Sequence, residues 1–178
     1  MSKIKVATIW LDGCSGCHMS FLDMDERLVE LSSKIEYLSG PYIDVKFKDF
    51  PEVDLTLVEG AVSNEDDLHK ICVLREKTKL LLSFGDCAVT GNVSSMRNIY
   101  GAKECLAFSY IGLANENNHI PDSGIPKLLP VVKPVHEVVE VDHYLPGCPP
   151  PADAIYYVLN ELIEGRVPNP YEVSRFGK

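Results

Sequence analysis

The sequence predicts an α/β fold with a mostly parallel sheet, because short β-rich runs alternate with helical runs along the chain. The composition agrees with this prediction. Of the 178 residues, 46% are hydrophobic and 24% are charged, which is typical of a globular protein with a packed core. No apolar run approaches the about 18 residues that a membrane-spanning helix needs. We therefore expect residues 1–178 to form a single α/β domain.

The predicted strands are short runs that are either continuously apolar or alternate apolar and polar residues. The run Lys79–Phe84 is the most hydrophobic, so we expect it to be central and buried. From Gly85 to Gly124 the chain is rich in Gly, Asn and Ser, and most of it is predicted to be loop. The predicted strands are Lys3–Trp10, Tyr42–Phe47, Val53–Val58, Lys79–Phe84 and Val135–Val141, with a further short apolar run at Leu129–Val132.

The predicted helices show apolar residues at spacings of three and four. The first is Met19–Leu38, which Gly40 and Pro41 end. The second begins at Ser63, where Asp66 three residues later forms a capping-box pattern, and Cys72 lies on its apolar face. The remaining predicted helices are Ala102–Tyr110 and a segment between Pro151 and Gly165.

The charge balance disfavours two classes of partner. Twenty-six acidic residues outweigh 17 basic ones, and the net charge of −9 is unsuited to general binding of nucleic acid or anionic membranes. The segment Met1–Trp10 lacks a small-residue cleavage site and is interpreted as a first core strand rather than a signal peptide. We therefore expect a cytoplasmic protein, in which the six cysteines do not form a disulfide framework.

Four cysteines follow three of the predicted strands. Cys14 and Cys17 form a Cys-x-x-Cys pair after the first strand, Cys87 follows the fourth strand, and Cys148 follows the last. The carboxyl ends of parallel strands meet at one edge of the sheet, where open α/β folds bind ligands. The four thiols are therefore predicted to converge at this edge.

Four converging thiolates are suited to an iron–sulfur cluster or to a zinc ion. A glycine lies within two residues of each cysteine, which lets the backbone approach a bulky cluster and direct N–H groups at its sulfurs. Zinc sites tend to use two compact pairs, whereas this chain has one pair and two distant cysteines. A thioredoxin-like dithiol at Cys14 and Cys17 is a further alternative, but it leaves Cys87 and Cys148 without a role. Cys72 and Cys105 are interpreted as structural, so one cluster is expected.

Four motifs in this order resemble those of the small subunit of [NiFe]-hydrogenases, and more narrowly the short cytoplasmic subunits of bidirectional, NAD-reducing members. The resemblance extends over about residues 3–165. The motifs are Asp12-Gly-Cys-Ser-Gly-Cys17, Val58-Glu-Gly-Ala-Val62, Gly85-Asp-Cys-Ala-Val-Thr-Gly-Asn92 and Pro146-Gly-Cys-Pro-Pro150.

The resemblance implies a flavodoxin-like fold and one proximal [4Fe–4S] cluster, ligated by Cys14, Cys17, Cys87 and Cys148. It implies that this chain relays electrons without splitting dihydrogen itself. The nickel–iron site then belongs to a large subunit, and the flavin and NAD sites belong to diaphorase subunits, because hydride transfer needs two electrons and flavin is the usual converter.

Two departures from related subunits refine this expectation. Periplasmic members carry a twin-arginine leader and a C-terminal domain with two further clusters, and neither is expected for a chain that ends at Lys178. Electrons are then expected to pass directly to a partner subunit. Related subunits of respiratory complex I have two adjacent cysteines in place of the Cys14-x-x-Cys17 pair, which makes a complex I-like subunit the weaker alternative.

Several other residues near the predicted site have competing interpretations. Thr90–Ser95 resembles a loop that binds a flavin phosphate, but the preferred interpretation is that it lines the cluster loop or a subunit contact, so FMN is not expected on this chain. Glu59 is interpreted as structural or capping rather than as a proton relay. His18 is expected to be exposed or at an interface rather than to donate a hydrogen bond to a cluster sulfur, and Trp10 is expected to pack in the core or at an interface. His136 and His143 lack a partner motif and are not expected to bind metal.

Overall fold

The computed structural model describes residues 3–43 and 45–173, and it contains a five-stranded parallel sheet and a two-stranded antiparallel sheet. The predicted α/β fold is confirmed. The strands of the parallel sheet are β1 (Ile4–Trp10), β2 (Ile35–Ser39), β3 (Val53–Glu59), β5 (Thr78–Phe84) and β7 (His143–Leu145), and those of the small sheet are β4 (Val62–Asn64) and β6 (Leu128–Lys133).

The order of strands in the large sheet is β2-β1-β3-β5-β7. If β4 and β6 are left out, this is the 2-1-3-4-5 order of flavodoxin-like folds, in which the order of strand addition reverses between the first and third strands. The middle strand is β3. The run predicted to be central, β5, is an interior strand between β3 and β7, and most of its residues are buried.

The helices are short, and none of those described has the length and apolar character required to cross a bilayer. They are α1 (Gly16–Leu22), α2 (Glu26–Lys34), α3 (Glu65–Glu76), α4 (Asp86–Thr90), α5 (Ala102–Ala107) and α6 (Ala152–Ile163). Turns of 3₁₀ helix lie at Phe47–Asp49, Asn92–Ile99, Val135–Glu137 and Pro170–Glu172, and a π-helical turn lies at Phe108–Gly112.

Two apolar cores lie on opposite faces of the large sheet, because successive side chains of a strand point to opposite faces. In β1, for example, Val6 belongs to one core and Ala7 to the other. The first core is covered by α1, α2 and α6, and the second by α3 and α4. The helical residues of the first core include Phe21, Leu31 and Ile155, and those of the second include Ile71, Leu74 and Ala88.

The prediction of one long helix over Met19–Leu38 was wrong in its middle and at its C-terminal end. Residues 23–25 separate α1 from α2, and Asp25 has a positive φ of 50° that interrupts the helix. The helical periodicity continues into Ile35–Ser39, but these residues form β2, which pairs in parallel with β1. Pairing with β1 gives the backbone N–H and C=O groups of these residues the hydrogen bonds that a further helical turn would otherwise provide. The tertiary context therefore overrides the periodic pattern. The strand predicted at Tyr42–Phe47 is also wrong. Its described residues form a turn and the start of a 3₁₀ helix, and Asp44 lies outside the described residues.

The strand predicted at Val135–Val141 was wrong as well. Val135 begins a 3₁₀ turn and is fully buried in the second core, and the last strand is β7 instead. Val138 and Val139 pack against the same core. Their spacing of three and four from Val135 suits a helical turn on an apolar surface, whereas a strand would direct alternate residues to opposite faces.

The start of α3 lies one residue later than its predicted cap. Asn64 is the N-cap residue, and its side chain accepts a hydrogen bond from the Asp67 amide at 2.9 Å, so Ser63 is not the cap. The Asp67 carboxylate accepts hydrogen bonds from the Ser63 amide and hydroxyl in return. Cys72 of this helix is exposed, which corrects its predicted place on the apolar face.

Candidate metal centre

The four predicted ligands follow strand ends that meet at one edge of the sheet. β1, β5 and β7 are aligned in parallel through β3, so Trp10, Phe84 and Leu145 end at the same edge. The four cysteines lie three to seven residues beyond these strand ends, in the loops or first helical turns that follow. They are Cys14, Cys17, Cys87 and Cys148, and all four are free thiols.

The loops that contain Cys87 and Cys148 are joined by hydrogen bonds. The Gly85 amide donates to the Leu145 carbonyl at 2.8 Å, and the Asp86 amide donates to the Gly147 carbonyl at 2.9 Å. In return the Gly147 amide donates to Asp86 Oδ1 at 2.7 Å. These bonds continue the pairing of β5 with β7 beyond the strand ends and hold the two loops side by side.

The loop of Cys17 packs against Gly85. A Cβ atom at Gly85 would lie 2.1 Å from Cys17 Sγ, so no side chain larger than hydrogen fits there unless the thiol moves. Gly85 also has a φ of 83°, a conformation that glycine adopts without strain. The Gly16 amide donates to Cys14 Sγ at 3.4 Å. The glycines near the cysteines therefore permit close packing at Cys17 and supply a backbone donor at Cys14.

The thiols lie within electrostatic range of one another. Burial raises the pKa of the Cys17 thiol well above its ordinary range, and the charges of Glu59 and of the other three thiols raise it further. Burial also raises the pKa of the Cys87 thiol, with Glu59 adding to the effect and a hydrogen bond from Asn92 opposing it. Within residues 3–43 and 45–173, no three acidic, histidine or cysteine side chains are grouped closely enough to hold a single metal ion.

A buried polar pair lies beside these thiols. His18 Nδ1 is 3.5 Å from Glu59 Oε2, and each side chain is only 1 to 2% exposed. Neither nitrogen of His18 has a hydrogen-bond partner, and neither does Glu59 Oε2. The rings of Tyr42 and Phe84 pack edge-on against the imidazole. His18 is thus buried rather than exposed, which corrects the expectation from the sequence.

Asn92 is a site residue whose role the sequence did not indicate. Its side-chain nitrogen donates to Cys148 Sγ at 3.3 Å and to Cys87 Sγ at 3.9 Å. The available signal was its place in Thr90–Ser95, which was predicted to line the cluster loop, although no single residue of that segment was singled out.

The hydroxyl groups of Thr90–Ser95 all donate to main-chain carbonyls. Thr90 donates to Asp86 at 2.9 Å, Ser94 to Asp12 at 3.0 Å and Ser95 to Asn92 at 2.8 Å. The bond from Ser94 links this segment to the loop of Cys14. The hydroxyls therefore support the cysteine loops, as the preferred interpretation of this segment requires.

The other candidate residues lie apart from the four thiols or only support them. Trp10 is half-exposed, and its indole nitrogen donates to the Gly13 carbonyl at 3.0 Å, which braces the loop of Cys14. His136 packs edge-on against Tyr144. Cys105 is half-buried in α5.

A broad apolar surface follows the Cys87 loop. Between residues 92 and 113, the 3₁₀, α5 and π-helical turns expose large apolar side chains by 43 to 79%. Arg97 anchors the segment by donating to the carbonyls of Leu129 and Ser63, at 3.0 and 2.8 Å. We call this surface the apolar face, and its residues are Val93, Met96, Ile99, Tyr100, Phe108, Tyr110, Ile111 and Leu113.

Comparisons with known proteins identify several relatives. NAD-reducing hydrogenase HoxS subunit delta of Cupriavidus necator is 44% identical over 173 residues, which cover 92% of this chain and 80% of that protein. One subunit of the F420-non-reducing hydrogenase of Methanothermobacter marburgensis is 38% identical, and the match covers 92% of this chain. It covers 54% of that subunit, so this chain spans about half the length of that relative.

Solved structures agree with these sequence matches. A chain in the crystal structure of NAD⁺-reducing [NiFe]-hydrogenase in the H₂-reduced state superimposes with a TM-score of 0.92 at 37% identity, covering 98% of this chain and 99% of that one. A chain of the [NiFeSe]-hydrogenase of Dm. baculatum, at 18% identity and a TM-score of 0.55, shares the fold over 95% of this chain and 67% of its own length.

These matches confirm the resemblance to hydrogenase small subunits that the four motifs predicted. A family model, described as NADH ubiquinone oxidoreductase, 20 Kd subunit, matches residues 14–162, a range that includes all four cysteines. The chain therefore belongs to the family of the NADH ubiquinone oxidoreductase 20 Kd subunit.

Proposed function

We propose that this chain is the electron-transfer small subunit of an NAD-reducing [NiFe]-hydrogenase, and that residues 1–178 act as one domain holding one [4Fe–4S] cluster. The ligands would be Cys14, Cys17, Cys87 and Cys148. The observation that supports this proposal most strongly is the convergence of three cysteine loops at the carboxyl edge of one parallel sheet.

The donor set fits an iron–sulfur cluster. Thiolates are the usual ligands of such clusters, and hydrogen bonds to their sulfurs adjust the reduction potential. The amide of Gly16 and the side chain of Asn92 already donate to cysteine sulfurs. The thiols raise one another's pKa, so a cationic centre among them would remove an electrostatic conflict and favour the thiolate form.

When bound, a [4Fe–4S] cluster accepts and releases electrons at a potential that its surroundings set. The four cysteines of this chain would hold that centre, and Gly16 and Asn92 would supply hydrogen bonds to their sulfurs. Cys17 would shield one side of the centre from water, because it is 6% exposed and packs in the first core, whereas Cys14 and Cys148 are exposed on this chain. We infer that the chain itself does not split dihydrogen.

The partner chains in this proposal are a large subunit with the nickel–iron site and diaphorase subunits that bind flavin and NAD. Their joint reaction would be H₂ + NAD⁺ → NADH + H⁺. The apolar face supports a stable protein partner, since large apolar side chains exposed together along one segment are typical of interaction sites. We place the complex in the cytoplasm, where the six free cysteines would stay reduced.

A complex I-like subunit is the second candidate function, because the matching family model is described by an NADH ubiquinone oxidoreductase subunit. In that case the complex would pass electrons to quinone, and dihydrogen would not be consumed. Assaying the purified complex with H₂ and NAD⁺, and separately with NADH and a soluble quinone, distinguishes the two candidates.

The test of the proposal is a count of iron and acid-labile sulfide on the anaerobically purified complex, with its partner subunits retained. We expect about four of each for the cluster of this chain beyond those of the partners. Replacing Cys87 or Cys148 with serine should remove this share and stop H₂-dependent NAD⁺ reduction. The variants Cys72→Ser and Cys105→Ser are matched controls. They should retain the full iron and sulfide content and the H₂-dependent reduction of NAD⁺.

Three results would contradict the proposal. Unchanged iron and sulfide in Cys87→Ser and Cys148→Ser would show that these cysteines hold no cluster. Zinc without sulfide would indicate a structural zinc site. The absence of both metal and sulfide would favour a dithiol at Cys14 and Cys17. The presence of FMN on this chain, if the diaphorase subunits are removed, would revive the flavin alternative for Thr90–Ser95.

A further inference from the structure

We propose that Asn92 raises the reduction potential of the cluster by donating its two side-chain amide hydrogens to the sulfurs of Cys148 and Cys87. This inference rests on the proposed function, because it assumes that both cysteines ligate the cluster. Asn92 is a positioning residue in this proposal, and it acts through the sulfurs of the ligands.

The geometry assigns both amide hydrogens to ligand sulfurs. Asn92 Nδ2 lies 3.3 Å from Cys148 Sγ and 3.9 Å from Cys87 Sγ, and a primary amide has one hydrogen for each. Among the described residues, no other side chain donates a hydrogen bond to any of the four sulfurs, and the only main-chain donor is Gly16. Asn92 is thus the one described side chain that can adjust the potential through hydrogen bonds to the ligand sulfurs.

The position of Asn92 is held from both sides. Gly91 ends α4 with a φ of 83°, and a Cβ at Gly91 would lie 2.9 Å from Ser95 Cβ, so the turn is tight. Asn92 follows with a φ of 36°, in the left-handed region that asparagine tolerates better than most residues. The Ser95 hydroxyl donates to the Asn92 carbonyl at 2.8 Å. This strained turn aims the amide at the two sulfurs.

The direction of the effect follows from charge. Reduction adds one negative charge to the cluster and its thiolates, and hydrogen bonds to the sulfurs stabilise the more negative state. The surroundings otherwise oppose reduction, because Glu59 lies close enough to raise the pKa of Cys17 and Cys87 and the chain has a net charge of −9. Removing the Asn92 amide should therefore make the potential more negative.

The test is an EPR-monitored redox titration of the intact complex with two variants. Asn92→Gly removes the donor and suits the left-handed backbone, and Asn92→Asp keeps the shape while replacing the donor with an acceptor. Matched controls are Asn117→Gly and Asn117→Asp, because Asn117 also has a positive φ of 54°, lies in an exposed loop and has no hydrogen bond to a cysteine.

We expect the midpoint potential to become more negative in Asn92→Gly and still more negative in Asn92→Asp, with iron and sulfide retained. Both Asn117 controls should keep the wild-type potential. A full cluster with a wild-type potential in both Asn92 variants would overturn the inference while leaving the proposed function intact. Absence of iron and sulfide from the wild-type chain would instead overturn the proposed function.

If the Asn92 variants lose the cluster, a second measurement tests the hydrogen bonds from Asn92 to the ligand sulfurs. Wild-type complex grown with asparagine labelled with ¹⁵N at the side-chain amide should show hyperfine coupling between ¹⁵N and the reduced cluster in pulsed EPR. A hydrogen bond from Asn92 to a ligand sulfur provides the pathway for that coupling. Its absence in the wild-type complex would contradict the proposed hydrogen bonds directly.

Discussion

Gly85 determines at the level of one residue how closely two cysteine loops approach. It follows β5, donates its amide to the carbonyl at the end of β7, and leaves room for Cys17 Sγ where a side chain would otherwise lie. Two demands thus meet at this position, a positive φ and the absence of a Cβ, and only glycine satisfies both.

We predict that Gly85→Ala prevents loading of the cluster and lowers the melting temperature of the chain. The new Cβ would displace Cys17, and alanine at a positive φ adds about 1 kcal/mol of strain. The control is Gly124→Ala, which has a φ of 74° but nothing within 4 Å of its Cβ, so it shows the backbone strain alone. Iron content and thermal unfolding measure the difference. Equal iron content in both variants would contradict the prediction.

A charged contact between helix and sheet is made by Asp142, just before β7. Its Oδ2 accepts from Arg75 of α3 and from the Leu81 amide of β5, each at 2.7 Å. Partial burial raises the pKa of this carboxyl, but the hydrogen bonds from Arg75 and Leu81 outweigh burial and hold the pKa below its ordinary value. The carboxylate thereby links α3 to the strands whose ends carry Cys87 and Cys148.

We predict that Asp142→Asn lowers the free energy of unfolding by about 2 kcal/mol at pH 7, the usual contribution of hydrogen bonds to a charged group. The pKa is lower in the folded chain, so this stability is present above the ordinary value of 3.8 and is lost as pH falls through the folded pKa. The free energies of unfolding of the wild type and of Asp142→Asn, measured with urea at pH 7 and at pH values down to about 3, should converge as the pH falls.

The matched control for Asp142→Asn is Asp153→Asn. Asp153 also pairs with an arginine, Arg27, at 2.7 Å, but its side chain is 85% exposed. Exposed ion pairs contribute little to stability, so this variant should unfold close to wild type at both pH values. A difference between Asp142→Asn and wild type that persists undiminished at low pH would show that packing, and not the carboxylate charge, is responsible.

At the scale of the molecule, the described residues present an exposed apolar surface after the loop of Cys87. The thiols lie at one edge of the sheet, and the apolar face extends from the loop of Cys87 over the turns between residues 92 and 113. Arg97 and Asn98 bond this segment to β6, so the surface is held in place by the fold. A preformed apolar surface next to the proposed cluster is suited to a partner that exchanges electrons with it.

We predict that Ile99→Asp weakens association with the hydrogenase large subunit while leaving the fold of this chain intact. Ile99 is 79% exposed in the apolar face, so a carboxylate there is solvated in the free chain and would be buried at the proposed interface. Val29→Asp is the control, because Val29 is 72% exposed on α2, outside the apolar face. Co-purification and size-exclusion chromatography measure association. Equal loss of the large subunit in both variants would contradict the prediction.

The residue pattern alone was sufficient to predict the strands that are buried on both faces of the parallel sheet. β1, β3 and β5 were predicted within one residue at each end, because interior parallel strands are short, nearly continuous apolar runs whose length and flanking residues argue against a helix. β2 was missed and Val135–Val141 was mistaken for a strand. In both cases the residues have a periodicity compatible with two structures, and the choice depended on which surface they pack against.

The candidate site was likewise predicted in part from the sequence and decided in part by the tertiary structure. The identity of the four cysteines, their position after strands and the glycines beside them follow from the sequence, since a thiol's chemistry and a strand's periodicity are local properties. The buried pair of His18 and Glu59 and the bonds from Asn92 to two sulfurs do not. They depend on residues that are distant in the sequence, since His18 and Glu59 are 41 positions apart and Asn92 and Cys148 are 56 positions apart. Such contacts are set by the packing of helices and loops on the twisted sheet.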